Sequence, residues 1–258
     1  MKTIPNTPST TTVAAATLAL FVALTAQAAT FTLNPSADAF VTTGPTANLT
    51  GNNYGGAGAL SVAAPGLANG EFQSVLRFDL SGARTSFNSQ FGAGQWSIQS
   101  ITLSLTATAP NNAIFNASAA GQFGVSWMQN DSWTEGAGTP ATPTTTGIAF
   151  STLPSFTGAG DEALGTFSFA GGTSGTAAYT LSLTSGFDAD ATAGNLVSFR
   201  LFAADSAVSY LFDSRTFGTT AFRPLLTVVA VPEPGSLALL ATGAALLLGA
   251  RCRRHSHG

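Results

Sequence analysis

The sequence predicts an all-β fold, a two-sheet antiparallel sandwich, with a secretory signal before it and a transmembrane helix after it. Three observations lead there. Short apolar runs of period two recur through the middle of the chain; Gly-, Asn- and Thr-rich clusters separate them; and continuous apolar stretches occur only near the two ends.

Residues 1–29 have the order of a signal peptide. Lys2 supplies the positive start, Val13 to Leu24 an apolar run, and Ala26-Gln27-Ala28 the small-x-small pattern at which Ala26 and Ala28 define cleavage. Residues 30–230 form the extracytoplasmic domain. Strands are expected at 39–41, 60–62, 74–80, 98–107, 121–128, 164–169, 178–183, 196–203 and 225–229. Ile101, Leu103 and Leu105 alternate with Thr102, Ser104 and Thr106, as in a strand buried on one face. Turn clusters at 51–58, 110–112 and 171–175 separate the runs, and the Thr/Pro/Gly stretch 136–147 reads as a long surface loop. No stretch shows sustained helical periodicity. Many short strands with Gly-rich turns point to a jelly-roll-like arrangement.

The C-terminal segment 231–258 has three parts: Val231-Pro232-Glu233-Pro234-Gly235, an apolar run over 236–250, and Arg251-Cys252-Arg253-Arg254. The run spans a bilayer with local thinning, and Arg251, Arg253 and Arg254 place its end on the cytoplasmic side. The prolines flanking Glu233 predict an extended, accessible junction.

Charge narrows the function classes. Charged residues make up 8% of the chain, and residues 30–230 carry five arginines against eleven acids, a net −6. Such a domain repels a phosphate backbone, so nucleic acid is not an expected partner. Cys252 is the only cysteine, and the histidines are His255 and His257, both beyond the apolar run. The domain between therefore lacks a His base, a Cys nucleophile and a zinc set, and no enzyme is expected. Glu135 with Glu71 or Asp79 are the carboxylates to weigh for glycoside chemistry.

The C-terminal order of motif, apolar run and arginine cluster resembles a PEP-CTERM sorting signal. That resemblance implies an exosortase as processing partner, an inner-membrane stage before processing, and a place at the cell surface or in the exopolysaccharide matrix. A second resemblance follows from the order of local motifs: Ala37-Asp38-Ala39-Phe40-Val41, Asn53-Tyr54-Gly55-Gly56, Ser74 to Leu80, Trp133-Thr134-Glu135-Gly136, Ser214-Arg215, and Arg223 to Val228. This succession is similar to the DNRLRE domain family of secreted β-sandwich modules, which implies a non-catalytic surface role or a carbohydrate-binding one. The string that names the family is absent here, and the domain contains no lysine.

Candidate ligand residues follow. Arg77 stands in an apolar strand near Asp79, either as a structural pair or as a contact for sugar or uronate. Tyr54 and Trp133, with Trp127, either stack on sugar rings or fill the core. Asp38 with loop oxygens is a candidate Ca²⁺ site, as are Asp188, Asp190 and Asn195; neither has EF-hand spacing, and no other cofactor is expected. Arg215 and Arg223 match the family's C-terminal pair and read as structural.

Overall fold

A computed structural model describes residues 27–109, 118–172, 175–233 and 235. These belong to one unit, residues 26–236; residues 1–25 and 237–258 lie outside the described residues. The signal segment with Ala26, then Pro234, the apolar run 236–250 and Arg251, Arg253 and Arg254 therefore lie outside them too. No helix among the described residues is long and apolar enough to cross a membrane.

The chain runs β1 (Ala29–Leu33), β2 (Ala37–Thr42), β3 (Ala59–Ala63), β4 (Phe72–Asp79), α1 (Ser81–Phe91), β5 (Trp96–Thr106), β6 (Gly121–Met128), β7 (Glu162–Phe169), β8 (Thr176–Leu181), α2 (Ser185–Ala193), β9 (Leu196–Ala203), β10 (Ser209–Asp213) and β11 (Leu225–Pro232). Two antiparallel sheets result. One has four strands in the order β1-β11-β5-β8; the other has seven, β10-β3-β4-β9-β6-β7, with β2 also on β4. The two-sheet sandwich expected from the sequence is present.

Period-two patterning explains the layering. Along β5, Ile101, Leu103 and Leu105 are fully buried between the sheets while Thr102 and Ser104 are half-exposed. Ile98 also faces inward, three residues before Ile101. The phase slips because Val229 of β11 pairs with Ser100 and Ala230 with Ile98, leaving Gln99 as the extra residue of a bulge. Aromatic rings join the sheets: Tyr179 of β8 meets Phe123 of β6 edge-on at 5.1 Å and Phe167 of β7 at 5.2 Å, while within the larger sheet Phe169 of β7 stacks on Tyr210 of β10 at 3.9 Å. β3 joins β4 through a single ladder pair, Ala63 with Phe72. Ser74 reinforces it, accepting the Ser61 N–H at 2.9 Å and donating to the Ser61 carbonyl at 2.7 Å.

The seven-stranded sheet is covered on its outer face as well. Every residue of β2 is buried: Phe40 enters the inter-sheet core, while Ala37, Ala39 and Val41 face a second cluster with Val75, Met128, Trp133, Ile148 and Leu153. The covering residues come from the connection 129–161. Within it the stretch 139–147 is mostly at the surface, while Trp133, Gly138, Ile148 and Ala149 around it are buried, so the surface loop expected at 136–147 is in part the tip of a packed flap. Each large apolar side chain so buried contributes about 1.5–3 kcal/mol.

Two helices depart from the expectation of strands and turns alone. Each buries only an i, i+4 pair, Ala83 and Phe87 in α1 and Phe187 and Ala191 in α2. Two anchors per helix are too few to write a periodic stripe into the sequence. α2 is instead held by a carboxylate from a strand. Glu162 of β7 accepts the N–H groups of Gly186 and Phe187, both at 2.9 Å, with the Thr184 hydroxyl bonded to the same group at 2.5 Å. These bonds, the Thr184 hydroxyl first, hold the Glu162 carboxyl below its ordinary range.

Candidate functional site

Residues 38, 53, 135 and 215 are far apart in the chain and meet at one place. Asn53, fully buried in the connection between β2 and β3, donates to the Glu135 carbonyl at 2.6 Å and the Ile148 carbonyl at 2.7 Å. Its side-chain oxygen accepts the N–H groups of Gly55 at 3.1 Å and Gly138 at 3.2 Å. Its own N–H bonds the Thr144 carbonyl at 2.6 Å. The flap is thus stitched at four of its residues by one asparagine. Approach is close enough to require glycine on both sides. A Cβ at Gly55 would lie 2.2 Å from the Glu135 carbonyl oxygen, and Gly136, at φ +74, would put one 2.2 Å from Asn53 Oδ1.

That arrangement presents the Glu135 carboxylate to Arg215, on the loop after β10. Arg215 Nε donates to Glu135 Oε1 at 2.6 Å and its Nη2 to Oε2, a two-point ion pair with Glu135 mostly buried. Glu135 Oε1 also accepts the Asp38 N–H at 3.0 Å, and Asp38 Oδ2 accepts the Arg215 N–H at 2.7 Å. Asp38 Oδ1, in a fully buried residue, has no hydrogen-bond partner among the described residues. Burial, opposed by the Arg215 N–H and reinforced by the charge of Glu135, pushes the Asp38 carboxyl up to about 7. No group of three or more His, Cys, Asp or Glu among the described residues stands close enough to hold a metal ion. At Asp38 the neighbouring charges are one carboxylate and one guanidinium. In α2, Asp190 accepts the Asn195 amide at 2.9 Å, while Asp188 borders a groove.

Arg77 lies on the outer face of β4 and serves the same flap. Its Nη1 donates to the carbonyls of Asp131 and Trp133, each at 2.8 Å, and its guanidinium lies 4.8 Å from the Trp133 ring centre. Asp79 turns away and accepts the Ser81 N–H at the start of α1. The aromatic candidates are enclosed. Tyr54 stacks on Phe40 at 4.5 Å, and Trp133 donates to Ser198 Oγ at 2.9 Å; each is 1% exposed, so neither offers a ring face to solvent. Trp127 is buried in the inter-sheet core. Replacing Arg77 by alanine is expected to cost about 2–3 kcal/mol, since two flap carbonyls lose their donor and the indole its cation. Urea unfolding of the domain measures this, and a cost under about 0.5 kcal/mol would contradict it.

A shallow groove of about 450 Å³ lies at the α1–α2 end of the sandwich, bordered by Arg84, Asn88, Trp96, Asp188 and Thr192. Asn88 Oδ1 accepts the Trp96 indole N–H at 2.8 Å, and Arg84 donates to the Ala193 carbonyl at 3.0 Å. The remaining carboxylate weighed for catalysis, Glu71, accepts the Gln73 amide at 2.5 Å.

Trp96 also borders the chain's exit. β11 continues into the proline-flanked motif: Val231 pairs with Ser97 and Pro232 with Trp96, and the Glu233 N–H bonds the Gln95 carbonyl at 2.9 Å. The junction expected there to be extended and accessible is extended as a strand end, and residues 231–233 are half-buried. Proline is tolerated because amides alternate along a strand. The Glu233 N–H points to β5, so the Pro232 nitrogen points to the other edge, where β1 has ended opposite Ala230. Ala28 is exposed immediately before β1, so the signal-cleavage pattern abuts the same corner. Residues 230–254 match the family model for the PEP-CTERM protein-sorting motif. No curated protein matches the chain. The motif implies exosortase-dependent sorting, with export, a membrane-anchored stage and delivery to the surface.

Proposed function

We propose that the chain is a non-catalytic surface protein of the extracellular matrix, delivered by an exosortase and presenting its jelly-roll-like sandwich outside the cell. The observation that carries this reading is the continuity of β11 with the sorting motif, which makes the folded domain the cargo of the tail. The engagement of the acids supports a structural role. Glu135 is neutralised by Arg215, Glu162 caps α2, Asp79 holds the start of α1, and Asp38 is enclosed. The convergence of Asp38, Asn53, Glu135 and Arg215 supports kinship with DNRLRE modules, because residues from four of the motifs meet in one cluster.

The test is fractionation of cells that carry the sorting enzyme, expressing either the full chain or one ending at Ala230. The full chain is expected in the surface fraction, shortened relative to its precursor. The truncated one is expected to be exported and to remain in the soluble extracytoplasmic fraction. Identical fractionation of the two, with no change in size, would remove the proposal.

A second reading adds polysaccharide contact and is favoured by the α1–α2 groove, whose guanidinium, carboxylate, amide and hydroxyl suit a hydrated sugar better than an apolar ligand. Glycan-array binding by the full chain, with and without Ca²⁺, is expected to fall at least about tenfold in Arg84→Ala, a loss of one charge-assisted contact. Binding that is unaffected by Arg84→Ala would place the contact elsewhere.

A further inference from the structure

An enzyme that takes an extended peptide as an added strand pairs with the peptide's backbone groups. In this protein the motif's leading backbone is already paired. Val231 and Pro232 are the last rungs of β11 against Ser97 and Trp96, and the Glu233 N–H is bonded to Gln95. All three residues are half-buried. The same edge of the motif cannot serve β5 and an enzyme at once.

We infer that the fold withholds the sorting motif, and that residues 231–233 must peel from β5 before the enzyme can take them. The inference rests on the sorting reading above. Release is local. β1 reaches only to Ala230, so beyond that residue β11 has one neighbour instead of two, and the peeled segment is short. A strand end held on one side opens far more readily than the domain unfolds. Processing therefore depends on the stability of the β5–β11 end, close to the groove at Trp96, and not only on the motif's sequence.

The test uses the full chain in cells that carry the sorting enzyme, followed by pulse–chase from precursor to processed form. A six-residue Gly-Ser insertion between Ala230 and Val231 moves the motif off β5 without altering it. The same insertion after Gly235 lengthens the tail but leaves Val231 to Glu233 paired, and serves as the comparison. The first is expected to be processed about tenfold faster than the native chain, the gain from no longer breaking roughly one net backbone hydrogen bond. The second is expected to match the native rate. Equal rates for native chain and first insertion would overturn the inference, and so would equal acceleration by both insertions, which would make tether length the controlling variable. A native chain that is never processed would remove the sorting reading, and the inference with it.

Discussion

Asn53→Ala is expected to destabilise the domain by about 4 kcal/mol, the largest single effect outside the apolar core. The side chain is fully buried and satisfies four backbone groups, at Glu135, Ile148, Gly55 and Gly138. Alanine leaves those groups without partners, and water has poor access. An unsatisfied buried group costs about 1–3 kcal/mol, and partial relaxation of the flap sets the sum below the simple total. Asn53→Asp separates the donors from the acceptor. It keeps the oxygen facing Gly55 and Gly138 but turns a second oxygen towards two carbonyls, so its cost should equal or exceed that of alanine at neutral pH. Urea unfolding gives both values, and protease nicking within 139–147 should rise in parallel as the flap loosens. A loss below about 1 kcal/mol for Asn53→Ala would show that the flap is held by its apolar cluster alone.

This residue illustrates how the sequence conveyed the frame and not the joints. β6 and β9 begin and end where the apolar runs predict, and β5 shows its alternation openly, because one-sided burial writes period two into the residues themselves. β10 was missed because all five of its residues are buried, so Ser209 to Asp213 does not alternate between buried and exposed. β1 was masked by the signal segment that runs into it. The helices were missed for want of more than two anchors each. The cluster around Glu135 was beyond any spacing rule: its partners are 80 to 97 residues away in Arg215, Asn53 and Asp38. Each appeared in the sequence as one member of a weak local motif. Their order carried a family resemblance but not the shared site, and the Glu135 carboxylate, weighed as a catalytic acid, is bonded at two points by an arginine.

Asp38 sets the second large expectation, a stability that falls as pH rises across the mildly acidic range. A carboxyl with a folded value of about 7 against an ordinary 3.8 holds its proton in the native state over a range where the unfolded chain has released it. The native state therefore binds more protons between those values, and unfolding free energy declines with rising pH. The contribution is whole below about pH 4 and gone by about pH 7, a slope approaching 1.4 kcal/mol per pH unit and a total near 4 kcal/mol. Asp213, pushed up to about 6 by burial, adds to the same decline. Asp79, Glu162 and Asp205 are held below their ordinary values by hydrogen bonds, so their stabilisation is lost on acidification below about pH 4. Asp38→Asn isolates the first effect. The amide oxygen can accept the Arg215 N–H as Oδ2 does, no charge is then enclosed beside Glu135, and the group no longer titrates. The variant is expected to be about 2–3 kcal/mol more stable than the native domain at pH 8, no more stable at pH 4, and to keep only the shallower slope due to Asp213 and the other carboxyls that burial raises, Asp131 and Asp188. Urea unfolding at half-unit steps from pH 4 to pH 8 measures both curves. Parallel curves would mean that Asp38 is ionised throughout, with the Arg215 guanidinium compensating its charge more fully than that of Glu135 opposes it.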